Sequence, residues 1–369
     1  MAYAPGIVAL LGTSRVAQLE EGLAQLRACV ASVPDRSTWV KHLPIPLAAA
    51  TPAAANDELV ARLRKCGPNW FFVTGVRPDG TRFGYSSDVF RPHERYSSAD
   101  VGQFLLFDLH SSLGGWWVSH VWRAADLAEP TCASLASWHV LPAAACVRAL
   151  LEGVAAFVIE GEALVAEWSA FKERGVPDVA AVSTFRDQFQ KKLLQTQFGS
   201  RLGERERKGP TSLKRTNVMT LLEKFSKRDG CNVMTSYEWL CDAVHPSFGF
   251  QTVYVATQGV HKSGSTMAAD LARRTDQALT NMPKIDPTVA WACADTFTIA
   301  ITAFLTEVRR VRWLIDDVAL TTGIAFSAPA FSSESILKTR KTGECPCGSG
   351  RRIEDCPHKW GAHAEPPSK

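Results

Sequence analysis

Residues 14–31, SRVAQLEEGLAQLRACVA, set Val16, Leu19, Leu23, Leu26 and Val30 three or four positions apart. That spacing marks one apolar face of an α-helix, with Ser14 in place to cap it. A Pro/Ala-rich stretch interrupts the period from 44 to 55, and a short helical piece is expected at 56–66. The pattern then changes in NWFFVTGVRPDGTRFGYSSDVF. Pro78-Asp79-Gly80 supplies turn chemistry between aromatic and β-branched residues, which predicts a β-hairpin over about 70–87.

The helical period returns at Ser98. SADVGQFLLFDLHSSLGGWWVSHVWRAADLA predicts one long helix, or two broken near Gly114-Gly115. Residues 131–174 predict one or two more, starting behind Pro130 or Pro142. GERERKGP at 203–210 reads as a solvated loop, 235–245 as a helix stopped by Pro246, and GFQTVYVAT as a strand. Asp286-Pro287 opens a last long helix over about 287–320, and the Ser/Ala-rich residues 325–342 read as a linker.

The fold class expected is mainly α: a helical bundle body with a short β-hairpin and a strand, plus a small C-terminal zinc module. Five segments follow: 1–66, an N-terminal helical segment; 67–97, the hairpin and its loop; 98–324, the bundle; 325–342, the linker; and 343–361, the metal-binding motif.

Composition narrows the function classes. With 46% hydrophobic and 21% charged residues, most of the chain should fold around ample cores. A formal net charge of +4 is small for 369 residues, so affinity for nucleic acid would need a local patch. Residues 183–229 offer one, with twelve Arg and Lys against five acids, and the part from 186 to 228 could track phosphates. The competing reading is a solvated helix face and loop, because few aromatics interleave the charges. The N-terminus lacks the basic n-region of a secretory signal, and Arg148, Glu152 and Asp295 interrupt the apolar stretches 141–166 and 288–306. A cytoplasmic protein with no membrane partner and with reduced, buried thiols is expected. The Ala- and Arg-rich usage points to a bacterial, GC-rich genome.

The tail GECPCGSGRRIEDCPHKWG, residues 343–361, concentrates the chemistry. It reads Cys345-x-Cys347-x8-Cys356-x-His358, and thiolates with an imidazole are the ligands that tetrahedral zinc takes. Cys345 and Cys347 are too close for a relaxed disulfide. The glycines around Ser349 let the backbone bend and turn N–H groups toward the sulfurs. With almost no apolar core of its own, the segment would owe its folding largely to the metal, Zn2+, although iron fits the same donors. CPCGSGRRIEDC resembles the SEC-C motif found at the C-terminus of the translocase motor SecA and on other bacterial proteins. That family places its fourth ligand directly after the third cysteine. Here Pro357 stands there, so His358 takes the role, with His363 as its substitute. The resemblance implies docking to a protein or ribonucleoprotein partner rather than catalysis. On a flexible linker, the module would search for its partner without disturbing the body.

A second constellation lies in the body. Arg148 and Glu152 sit four apart on an otherwise apolar helix, so they must pair with each other or meet a third polar group. In SYEWLCDAVHPSFGF, Tyr237, Asp242 and His245 crowd the end of another helix, where a histidine suits capping or acid–base work. Arg-x3-Glu on one helix and Tyr…His-Pro-Ser ending another resemble a loose group of bacterial helical proteins, some related to HEPN domains. The alternative function is therefore a HEPN-like ribonuclease of a defence or toxin system, with His245 as acid/base. HEPN ribonucleases carry an arginine four to six residues before that histidine, and Trp239, Leu240 and Cys241 lie there instead. The same residues also suit a polar network that fixes helix register. A third reading is a small-ligand site lined by Trp116, Trp117 and Trp122.

Overall fold

The structure is a computed structural model that describes residues 3–33, 72–76, 82–86, 98–198, 216–245, 255–273, 287–322, 351–352, 356 and 358–362. Among them the fold is mainly α. The described residues form eight helices, in chain order: α1 Pro5–Leu11, α2 Thr13–Ala31, α3 Ser98–Ala136, α4 Val140–Lys172, α5 Val179–Phe198, α6 Val218–Asp229, α7 Val233–Val244 and α8 Thr288–Thr321. Strands β1 Phe72–Val76 and β2 Arg82–Ser86 pair antiparallel, as do β3 Val255–Ser263 and β4 Thr266–Arg273. The helical piece expected at 56–66, the linker 325–342 and the loop 203–210 lie outside the described residues.

The chain divides into two compact units. One gathers Met1–Asp35, Ser119–Glu162 and Thr216–Arg309; the other gathers Arg36–Val118, Ala163–Arg215 and Arg310–Lys369. Each of α3, α4 and α8 therefore contributes one stretch to each unit.

In the first unit, α2 buries Leu19, Leu23 and Leu26, the predicted face. Its N-cap is Gly12 rather than Ser14. Gly12 has φ 85°, a left-handed value suited to glycine, and it lets α1 end and α2 begin within one residue. A Cβ on Gly22 would lie 3.3 Å from the Phe297 ring, so this glycine sets the close approach of α2 to α8. Bidentate pairs fasten α2 further: Arg15 to Asp295 at 2.6 and 3.1 Å, and Arg27 to Glu129 at 2.5 Å on each arm. Arg228 of α6 reaches Glu162 at 2.5 Å and the buried Glu307 at 3.6 Å. The strand expected at GFQTVYVAT is one arm of a hairpin. β3 turns at Gly264, φ 62°, and returns as β4, whose sequence TMAADLAR carries little β preference.

α3 does not break at Gly114-Gly115, nor at Pro130. Burial of Leu113, Trp116 and Trp117 on the neighbouring positions outweighs the cost of two helical glycines, about 1 kcal/mol each. Pro130 faces solvent near the helix end, and the Thr131 hydroxyl donates to the Leu127 carbonyl at 2.7 Å. The helix ends at Ala136, and Trp138, two residues on, takes the left-handed φ 54° while its side chain is buried. The His139 amide donates to the Ser134 carbonyl at 2.7 Å, closing a Schellman turn without glycine.

By length and composition alone, α4 and α8 could each cross a membrane, and 56% of the most apolar window of each is buried inside the protein. The charges within them do not interrupt those windows as the sequence reading expected.

Candidate functional site

In the second unit the ends of α4 and α8 meet. α4 projects Trp168, Phe171 and Lys172 at i, i+3 and i+4, one helical face. α8 carries Asp317 on the face that buries Leu314, Val318 and Thr321. A carboxylate there has left water, and its partners must supply what water gave. Four groups do so. Lys172 Nζ donates to Oδ1 at 2.8 Å and to Oδ2 at 3.1 Å; Trp168 Nε1 donates to Oδ2 at 2.6 Å. The Thr321 hydroxyl lies 3.5 Å from Oδ1, and His358 Nδ1 makes a short contact to the same oxygen. The side chains of Lys172 and Asp317 are 1% and 0% exposed. Burial alone would push the Asp317 carboxyl up, but the His358 hydrogen bond and the Lys172 charge outweigh it and hold it below the usual range.

The C-terminal residues that reach this cluster pack on it. Trp360 lies edge-on to Phe171, with centroids 5.6 Å apart, and 5.9 Å from Trp168. Phe171 stacks on Phe185 of α5 at 4.0 Å. The Gly361 amide, at φ 80°, donates to the Lys172 carbonyl at 3.0 Å, satisfying a backbone acceptor at the end of α4. The segment after the expected linker is thus seated on helices at its described positions.

Of the four expected ligands, Cys356 and His358 are both buried, and Cys356 forms no disulfide among the described residues. Cys345 and Cys347, and the substitute His363, lie outside them. Accordingly, among the described residues, no group of three His, Cys, Asp or Glu is placed to hold a metal. The two described residues, a thiol and an imidazole, are of the donor types that zinc takes. Asp317 engages His358 at Nδ1, so coordination by this imidazole would run through Nε2, and a carboxylate behind the imidazole is the usual support of a metal-bound histidine.

The body constellation comes together in part. Arg148 Nε donates to Glu152 Oε1 at 3.2 Å, the Tyr237 hydroxyl donates to the same oxygen at 2.8 Å, and the Arg148 guanidinium lies 5.4 Å from the centre of the Tyr237 ring. Arg148 and Glu152 thus pair with each other and also meet a third polar group. Their side chains are 25% and 24% exposed. Burial and the bond to Glu152 push the Tyr237 hydroxyl up to about 12. Asp242 and His245 do not join. Both are exposed; His245 caps α7 through its backbone amide, and its ring bonds to none of the three.

Within the basic segment, Lys192 pairs with Glu167 and Arg228 with Glu162. Residues 199–215 are outside the described set. Trp116 and Trp117 are core residues, and the Arg312 guanidinium lies 5.2 Å from the Trp117 ring centre. A cavity of about 10 Å³ opens between His120, Arg123, Leu127 and Phe304, room for one water; none of the three tryptophans lines it.

Sequence reasoning missed Lys172, Asp317, Trp168 and Trp360. The available signal was Asp317 itself: an acid on the apolar face of WLIDDVALTTG needs a buried cation, and Lys172 is the base in the last turn of a long apolar helix. Comparison with known protein families, with curated proteins and with solved structures gives no match for this chain.

Proposed function

We propose that this chain is a zinc-binding accessory protein of the cytoplasm. Its SEC-C-like C-terminal module, seated on a helical body, offers a docking surface to a protein or ribonucleoprotein partner. The observation that carries this reading is the pairing of donor chemistry with placement. Cys345, Cys347, Cys356 and His358 form a Cys₃His set. The two described members are buried, and His358 has its Nδ1 engaged by Asp317, so its coordination would run through Nε2. The metal's part is to hold a nearly coreless segment in one shape, with three thiolates and one imidazole as its ligands.

Metal analysis of the purified full chain tests it. One zinc per chain is expected, falling below a tenth when Cys345 and Cys347 are both replaced by serine. A wild-type protein without stoichiometric metal, after expression in zinc-supplemented medium, would end the reading. The ribonuclease reading has no comparable support, since His245 stands apart from the Arg148–Glu152–Tyr237 cluster; in the basic segment Lys192 and Arg228 are paired with acids, whereas Lys191, Lys224 and Lys227 lie exposed.

A further inference from the structure

We propose that Asp317 is a positioning residue for the metal site. Held by Lys172 and Trp168, it fixes His358 for coordination through Nε2, and this bond couples metal binding to the packing of α4 and α8. The inference rests on the zinc reading and adds to it a mechanical link from the metal to the body.

The geometry carries it in three steps. First, Asp317 is not free to turn. Lys172 Nζ spans both of its oxygens at 2.8 and 3.1 Å and Trp168 Nε1 holds Oδ2 at 2.6 Å, so Oδ1 points where His358 Nδ1 meets it. A rigid outer carboxylate chooses the imidazole tautomer and its ring orientation before the metal arrives. Second, the cluster is sealed from solvent. Its three charged or ionisable members, Lys172, Asp317 and His358, are all buried. Removing His358 would leave the Lys172–Asp317 pair with one acceptor site unfilled, and buried pairs tolerate that poorly. Third, His358 is not the sole link. Trp360 against Trp168 and Phe171, and Gly361 on the Lys172 carbonyl, fasten the same turn of chain to the same helix end. Whatever orders residues 356–361 therefore also orders the ends of α4 and α8.

The expectation of a freely searching module changes accordingly. Metal occupancy is read by the body itself, and a partner that binds the loaded module meets helices whose ends are fixed.

The test uses the full chain. Zinc affinity is measured by competition with a chromophoric chelator for wild type, Asp317→Asn and, as a control away from this cluster, Tyr237→Phe. Hydrogen–deuterium exchange of residues 310–321 and 163–172 is followed for wild type with and without zinc. Asp317→Asn is expected to weaken zinc about 10- to 100-fold at unchanged stoichiometry, with Tyr237→Phe within about twofold of wild type. Zinc is expected to slow exchange in both helix ends. A folded Asp317→Asn protein with wild-type zinc affinity overturns the proposal and leaves the zinc reading intact. If Asp317→Asn does not fold, the wild-type exchange experiment decides: equal exchange at the helix ends with and without zinc overturns the coupling. A wild-type chain that binds no zinc removes both.

Discussion

Two polar clusters sit on helices that are otherwise apolar, one in each unit, and they solve the same problem differently. Lys172–Asp317–Trp168–His358 is sealed, and every strong partner of the carboxylate comes from another segment of the chain. In Arg148–Glu152–Tyr237 the charged pair is a quarter exposed and sits at i and i+4 on one helix, so water reaches the pair although Tyr237 is buried. Sealing changes the energetics. In the open cluster a lost bond is replaced by solvent, whereas in the closed one it strands a charge. The closed cluster also joins distant parts of the sequence, 172 to 317 to 358, so it can transmit an event at the tail. The open one joins α4 to α7 and can do little beyond holding their register.

The largest expected effect breaks the sealed cluster outright. Asp317→Leu leaves the Lys172 ammonium buried without a counter-charge and should destabilise the protein by about 3–5 kcal/mol in chemical denaturation. Adding Lys172→Met should recover much of that loss, since a well-packed apolar pair often replaces a buried ion pair at little cost. Failure of the double variant to recover would mean that the loss lay elsewhere than in the stranded charge.

His110, another buried group of the same unit, supplies the pH dependence. Burial, with a contribution from Arg312, lowers its imidazole from an ordinary 6.5 to about 3. The folded state therefore takes up a proton later than the unfolded chain as pH falls. Stability is full above about 6.5 and declines between 6.5 and 3 with a slope of about 1.4 kcal/mol per pH unit from this group. His110→Gln should flatten that part of a stability–pH curve, and an unchanged slope would show that other groups govern it.

Smaller effects belong to the open cluster. Tyr237→Phe removes one hydrogen bond to Glu152 at a partly solvated site and should cost about 1 kcal/mol. A double-mutant cycle with Glu152→Gln should give a coupling energy of about the same size. A cost near that of Asp317→Leu would erase the distinction between the two clusters. Last comes Lys192→Ala. It breaks an exposed pair with Glu167, and the midpoint of thermal unfolding should hardly move, in keeping with at most about 0.5 kcal/mol.

The helices were legible where one side faces core and the other water. Residues 14–31 and 235–245 announce themselves by period, because each helix buries only a stripe. The breaks were not. Gly114-Gly115 and Pro130 are punctuation in an isolated segment, yet α3 passes through both because long-range burial of Leu113, Trp116 and Trp117 outweighs local cost. Strand β4 was hidden for the opposite reason: its composition favours helix, and only pairing with β3 defines it.

The site divides along the same line. Arg148–Glu152 was readable because the i,i+4 rule is local, and the four donors of the proposed metal site were chosen on ligand type and spacing, which are written in the chain. By itself the sequence determined a mainly helical body, and it carries the spacing from which the metal site is proposed. Tertiary structure decided that His245 stays outside its cluster and that His358 has Asp317, Lys172 and Trp168 behind it. Those partners lie between 41 and 190 positions away along the chain, and no local pattern encodes which buried acid will meet which buried base. Only the packing that excludes water from α4 and α8 makes them depend on one another.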